Sequence, residues 1–147
     1  MFKLLWRSVE NHFRYILILI LTLGSYFSIV FYKIISLRPE GIYAGHVNVW
    51  SDWSLHIAIA NIFAFKDFHY WFSYHPLYAG GKFTYPFLTD FISGILMRAG
   101  VSLKQSFVFP SIILIFVLLI GLYFLFYLLT ESKKLSVISV FIFFLSA

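Results

Sequence analysis

The chain has 147 residues, the length of one soluble domain, but its composition is not that of one. Hydrophobic residues make up 61% of it and charged residues only 12%, whereas soluble proteins average about half and about a quarter. So little polar surface cannot cover a water-soluble globule, which excludes most soluble enzymes, disordered tails and nucleic-acid-binding modules. The net charge of +5 fits this conclusion, because the basic residues lie mainly beside apolar segments. The absence of cysteine excludes disulfides and thiolate chemistry.

Two apolar segments are long enough to cross a bilayer, for which about 20 residues are needed. The sequence predicts transmembrane helices over 15–37 and 107–130. It places Pro110 in the first turn of the second helix, where the missing N–H breaks no helical hydrogen bond. A polar turn at 131–134 precedes a third apolar segment, 135–147. Because this last segment is shorter than a span, we expect the amino-terminal part of a longer protein, ending within its third span.

The basic residues near the ends of the spans predict an orientation. Residues 1–14 are expected to form a helix along the cytoplasmic interface, and the turn at 131–134 is also expected to be cytoplasmic. Residues 38–106 then form an extracytoplasmic loop, in which two helices too short to span are predicted, near 52–65 and 86–98. The expected fold class is an all-α, polytopic transmembrane helical protein, integral to the membrane and multi-pass.

Two polar side chains of the first loop helix are candidates for chemistry. Asp52 and His56 are four residues apart and therefore share a helix face. A carboxylate and an imidazole together can act as base and orienting group, or bind a metal ion or a sugar hydroxyl. The alternative is that Asp52 caps the helix and that His56 is an interfacial polar residue. The spacing alone leaves both interpretations open.

Asp90 is a third candidate, because it lies in FLTDFISGIL, which is otherwise uncharged and apolar. An ionised carboxylate in an apolar setting usually has a partner or a function. The sequence is consistent with a functional role and also with a structural pair, in which the partner is Lys82, Arg98 or a residue beyond Ala147. The neighbouring Ser93 and Gly94 are small enough to let another helix approach closely.

The remaining polar residues of the loop match no motif for metal or phosphate. Metal-binding side chains usually follow a compact spacing, which those of the loop do not; they are His46, Asp67, His69 and His75. Lys82 follows two glycines, but the phosphate-binding pattern GxxxxGK[ST] is absent. No metal ligand is predicted, and the cofactor is left unassigned: a divalent cation is compatible with the sequence but has no ligand motif.

The segments VWSDWSLHIAIANIFAFKDF and HPLYAGGKFTYPFLTDFISGIL, within residues 48–96, resemble the first extracytoplasmic loop of polytopic glycosyltransferases of the GT-C type. They are most similar to a group of membrane proteins labelled as related to 6-pyruvoyl-tetrahydropterin synthase. In that group an aspartate soon after the first span is followed by a histidine one turn later and by a Tyr-Pro-containing stretch with a second aspartate. The corresponding residues here are Asp52, His56, Gly80 or Gly81, Thr84, Tyr85, Pro86, Phe87 and Asp90.

This resemblance implies a site and a reaction. A sugar would move from a polyprenyl-phosphate donor to an acceptor on the extracytoplasmic face of the membrane. Asp52 would be the catalytic residue, His56, Tyr85 and Asp90 would shape the same pocket, and Lys82 would approach the donor phosphate. The chain departs from many GT-C enzymes because no second acidic residue accompanies Asp52 in an Asp-Glu or Asp-x-Asp pair.

The expected partners are the lipid bilayer and the polyprenyl-phosphate-sugar donor, with no nucleic acid, and the fragment by itself is expected to be inactive. The alternative function comes from a different class. A transporter or flippase component without enzymatic activity would use Asp52, His56 and Asp90 to line a path or to form structural pairs.

Overall fold

A computed structural model describes residues 12–45 and 52–146 of the chain, which are mostly helical. Its elements, in chain order, are α1 (His12–Ile34), β1 (Ile35–Arg38), β2 (Gly41–Ala44), α2 (Trp53–Phe65), α3 (Leu88–Arg98), α4 (Leu103–Thr130) and α5 (Lys133–Leu145). The described residues form two compact units. We call 12–29 with 112–146 the helical unit, and 30–45 with 52–111 the loop unit. Residues 1–11 of the helix predicted over 1–14 lie outside the described residues. Residues 12–14 belong to α1.

Helices α1 and α4 are long and apolar enough to cross a membrane, with 23 and 28 residues. In their most apolar stretches only 11% and 17% of the residues are buried, whereas the core helix of a soluble protein is mostly buried. Length, composition and exposure therefore agree with the two spans that the sequence predicts. Helix α5 covers most of the segment predicted to begin a third span and has 13 residues.

Helix α1 ends at Ile34, three residues before the predicted end of the first span. Residues 35–37 belong instead to β1, which pairs antiparallel with β2 so that Arg38 lies opposite Gly41. The described residues are mostly helical, as predicted, and this hairpin is a local departure from the all-α expectation. Its local cause is Pro39, which biases the preceding residue towards extended backbone. Gly41 has a φ of 145°, a conformation that glycine adopts far more readily than other residues.

Helix α4 begins at Leu103, four residues earlier than predicted, so Pro110 lies inside the helix and not in its first turn. A capping pattern that the sequence analysis missed explains this early start. The Gln105 backbone N–H bonds the Ser102 hydroxyl oxygen at 3.4 Å, and that hydroxyl donates to the Gln105 side-chain oxygen at 2.9 Å. Serine followed three residues later by glutamine is a known signal for a helix start.

The two short helices of the loop unit pack closely against each other through a glycine. A Cβ atom added to Gly94 on α3 would lie 2.6 Å from the Ala60 carbonyl oxygen and 2.6 Å from the Phe63 Cβ on α2. Ser93 is buried beside it and donates its hydroxyl to the Thr89 carbonyl at 3.0 Å. The predicted close approach of another helix at Ser93 and Gly94 is confirmed, and that helix is α2.

We predict that Gly94→Ala destabilises the packing of α2 on α3 by about 1–3 kcal/mol, because the new methyl group meets backbone that cannot move aside easily. Gly121→Ala is the matched control, since nothing lies within 4 Å of the Cβ atom added to this helical glycine. Hydrogen exchange of the α2 amides should accelerate in the first variant alone. Equal exchange in the two variants would show that the contact at Gly94 is not tight.

Candidate functional site

His56 on α2 and Asp90 on α3 form a hydrogen-bonded pair in the loop unit. The imidazole Nδ1 lies 3.1 Å from Oδ1 and 3.0 Å from Oδ2 of the carboxylate. The Asp90 side chain is 3% exposed and the His56 side chain 31%. Asp90 therefore has a partner inside the packed region, while the histidine ring is accessible from outside it.

A carboxylate at this distance from Nδ1 favours the imidazole tautomer that carries its hydrogen on Nδ1. When the Nδ1–H donates to the Asp90 carboxylate, a neutral ring carries its free lone pair on Nε2. A carboxylate in this position orients the ring and stabilises the imidazolium that forms when Nε2 accepts a proton, as in a catalytic triad. The pair can thus act as a general base with a built-in orienting group.

Two aromatic rings lie beside the imidazole. The Tyr85 ring lies 5.8 Å from that of His56, edge to face, and the Trp53 ring lies 6.2 Å away. Trp53 in turn packs edge to face on Phe107 of α4, at 5.7 Å. Three of the residues that the resemblance assigns to one pocket, namely His56, Tyr85 and Asp90, do come together.

Asp52, the residue expected to be catalytic, is exposed immediately before α2. Asp52 is the N-cap residue of α2, as the alternative interpretation expects: its backbone carbonyl accepts from the Leu55 and His56 amides at 3.0 and 3.1 Å. Its side chain makes no capping hydrogen bond. The structure assigns the Asp90 carboxylate, and not that of Asp52, as the hydrogen-bond partner of the His56 ring.

Neither basic residue proposed as a structural partner of Asp90 fills that role. Arg98 donates from Nη1 to the carbonyls of Phe63 at 3.2 Å and Lys66 at 3.0 Å. Lys82 is exposed, and in the described part of the chain no hydrogen bond or ion pair joins it to Asp90. The sequence analysis missed that His56 is the partner, because 34 residues separate the two side chains and no local pattern connects them.

Burial raises the pKa of the Asp90 carboxyl group above its ordinary value, and the hydrogen bond and charge of His56 offset only part of this effect. The raised pKa means that the folded state holds the proton more tightly than the unfolded state. The stability that this provides is complete below about pH 4, the ordinary range of aspartate, and is lost as the pH rises through the pKa of the folded protein.

We predict that Asp90→Asn removes this pH dependence. The wild-type protein should lose stability relative to the asparagine variant as the pH rises from about 4 towards neutrality, because only the wild type must bury a newly formed charge. Thermal unfolding in detergent at a series of pH values measures the difference. A difference that grows in favour of the wild type with rising pH would mean that His56 outweighs the cost of burial.

The described residues hold no cluster suited to a metal ion. Within 12–45 and 52–146 no group of three or more histidine, cysteine, aspartate or glutamate side chains lies close enough to bind one. His46, one of the residues considered in the sequence analysis, lies outside this part of the chain.

Comparisons with family models, with curated proteins and with solved structures find no match to this chain. The function is accordingly inferred from the site itself. Its central feature is a buried carboxylate that orients a partly exposed imidazole, in a chain with two helices suited to crossing a membrane.

Proposed function

We propose that this chain carries the acceptor-activating site of a membrane glycosyltransferase of the GT-C type, which moves a sugar from a polyprenyl-phosphate donor to an acceptor on the extracytoplasmic side. The observation that carries the proposal is the pair of His56 with buried Asp90. Sugar transfer to a hydroxyl group needs a base that removes the hydroxyl proton as the new bond forms, and an oriented imidazole suits this task near neutral pH.

In the proposed reaction the acceptor hydroxyl hydrogen-bonds to Nε2 of His56. Its oxygen forms a bond to the anomeric carbon of the donor sugar while Nε2 takes the proton. The bond between that carbon and the phosphate oxygen breaks, and its electron pair leaves with the polyprenyl phosphate. Asp90 stabilises the resulting imidazolium, and Tyr85 limits the positions open to the acceptor beside the ring.

The proposal changes the role of Asp52 from that implied by the resemblance. We assign proton transfer to His56 because its ring is held by a buried carboxylate, whereas Asp52 is exposed before the first turn of α2. Asp52, one helical turn away, then contributes to the approach of the acceptor. No role for Lys82 is included, since it is exposed on the loop between α2 and α3.

Sugar transfer in membranes that hold the full-length protein tests the function directly. Polyprenyl-phosphate donors with a radiolabelled sugar are supplied, and label is followed into lipid, polysaccharide or protein acceptors. Wild-type membranes should transfer label, and His56→Gln membranes with the same amount of protein should not. If both fail to transfer while the protein moves a lipid or solute across the bilayer, the transporter alternative replaces the glycosyltransferase.

The proposed site requires residues 38–106 to lie outside the cytoplasm. The absence of native cysteine allows single cysteines at Ser73 and Ser132 to be labelled with an impermeant thiol reagent on intact cells. Because basic residues at the predicted inner ends favour this orientation, we predict labelling at position 73 and none at 132 until the cells are opened. The reverse pattern would contradict the topology and the extracytoplasmic site together.

A further inference from the structure

A second candidate site lies at the carboxyl end of α2 and does not include the His56–Asp90 pair. It is an open groove of about 600 Å³ in the loop unit, which we call the α2 groove. This volume is within the range of small-molecule sites in proteins, about 300–1,000 Å³. The groove is lined by Ile62, Lys66, Tyr70, Tyr74, His75 and Pro76.

Hydrogen bonds to its backbone hold the α2 groove in shape. The Lys66 carbonyl accepts from Arg98 Nη1 at 3.0 Å and from the Trp71 indole N–H at 3.1 Å. Across the groove, the His75 amide donates to the Gly81 carbonyl at 2.9 Å. A ligand would therefore meet a largely preformed surface, which lowers the entropic cost of binding.

The polar groups of the groove suit an anion. Lys66 is exposed, and among the described residues no acidic side chain pairs with it or lines the groove. His75 accepts the Leu77 amide at Nδ1, at 3.2 Å, so its neutral ring carries the remaining hydrogen on Nε2 and is a donor there. An ammonium group and an imidazole N–H together match the oxygens of a phosphate group.

The surface beside the groove includes an exposed aromatic ring. Phe65, next to Lys66 in the chain, is 72% exposed. A shallower pocket containing Phe65 shares Ile62 and Lys66 with the groove, so the apolar and basic surfaces are continuous. Since the chain also has two helices suited to crossing a membrane, a ligand that combines a phosphate with hydrocarbon chains fits these features better than a free phosphate.

We propose that the α2 groove binds the headgroup of an anionic phospholipid, with Lys66 and His75 on the phosphate and the exposed Phe65 against the acyl chains. The inference stands apart from sugar transfer, because it uses none of the residues of the His56–Asp90 site. A lipid bound here would fasten the loop unit to the membrane surface, since basic residues and aromatic rings both favour the headgroup region.

Titration of the full-length protein in an uncharged detergent tests the lipid and its source. Three soluble probes are compared: dihexanoyl phosphatidate, glycerol 3-phosphate, which lacks the chains, and dihexanoyl phosphatidylcholine, which lacks the net charge. Binding is followed by NMR through the indole N–H resonance of Trp71, because this N–H donates to the Lys66 carbonyl. The resonance is assigned by its loss in Trp71→Phe. Phosphatidate should bind about tenfold more tightly than either other probe, because only it satisfies both the basic and the apolar surface.

Lys66→Gln removes the charge at nearly constant length and should weaken phosphatidate binding about fivefold. Lys82→Gln is the matched control, since Lys82 is an exposed lysine of the same loop that does not line the groove, and it should bind as the wild type does. Equal binding of glycerol 3-phosphate would overturn the lipid in favour of a soluble phosphate. Equal binding of phosphatidylcholine would overturn the preference for an anionic lipid, and an equal effect of the two lysine variants would overturn the phosphate site itself.

Discussion

Phe63→Ala is expected to loosen the whole loop unit, more than any other single substitution that we consider there. Phe63 lies on α2, is fully buried and stands at the centre of a group of rings that we call the aromatic cluster. Its ring centroid is 5.2–6.3 Å from those of five neighbours, which are Trp71, Phe72, Phe83, Phe87 and Phe91. These neighbours come from α3 and from the connection between α2 and α3, so one side chain secures both.

We expect Phe63→Ala to lower the free energy of unfolding of the loop unit by about 3–5 kcal/mol, the usual range for removing a buried phenylalanine. The cavity that remains adds to the lost transfer free energy of the side chain. The loss includes the edge-to-face contacts of Phe63 with Trp71 and Phe91, at 86° and 85° between ring planes. If the loop unit opens locally, a loss of this size accelerates hydrogen exchange of the α2 and α3 amides by about 100-fold or more. Exchange measured by mass spectrometry in detergent reports it.

Phe65→Ala provides the matched control, because it removes the same side chain from the same helix at a position that is 72% exposed. It should change the free energy of unfolding of the loop unit by no more than about 0.5 kcal/mol, as other surface substitutions do. If the two variants exchange alike, the aromatic cluster does not hold the connection in place, and the loop unit must depend on other contacts.

The aromatic cluster also shows what the sequence reveals about this loop and what it does not. The apolar run before Lys66 predicts α2 to within one residue, since the periodicity of a helix is local. The tryptophans and tyrosines of the loop suggest a belt at the lipid headgroups, yet Trp71 packs in the cluster. Its neighbours Phe63 and Phe91 are 28 residues apart, and no local pattern reports a contact across such a distance.

The same limit applies to the candidate site. That Asp90 needs a partner or a function follows from one carboxylate in an apolar helix, and its burial bears this out. The structural partners expected for Asp90 were Lys82, Arg98 or a residue beyond Ala147, and the resemblance placed His56 only in the same pocket. The packing of Gly94 on α2 brings His56 to Asp90 instead, while Arg98 satisfies the carbonyls at the end of α2. Helix packing, and not sequence distance, determines which charges meet.

Asp90→Asn should lower sugar transfer by about 100-fold or more, the scale expected when the group that supports a general base loses its charge. Asparagine keeps the shape of the side chain and an oxygen that accepts from His56 Nδ1, so the ring can stay in place. It no longer stabilises the imidazolium that forms when Nε2 takes the acceptor proton. A neutral amide is also cheaper to bury than a carboxylate, so the variant should fold and reach wild-type amounts in the membrane.

The double variant separates a coupled pair from two independent residues. If Asp90 acts through His56, then His56→Gln with Asp90→Asn should be no slower than His56→Gln alone, because residues that act as a unit are not additive. Independent roles would instead multiply the two losses. Asp52→Asn completes the comparison, and its rate of sugar transfer should stay within a few-fold of the wild-type rate. A 100-fold loss in that variant, with Asp90→Asn nearly unaffected, would return the role of base to Asp52 and leave the His56–Asp90 pair as a structural contact between α2 and α3.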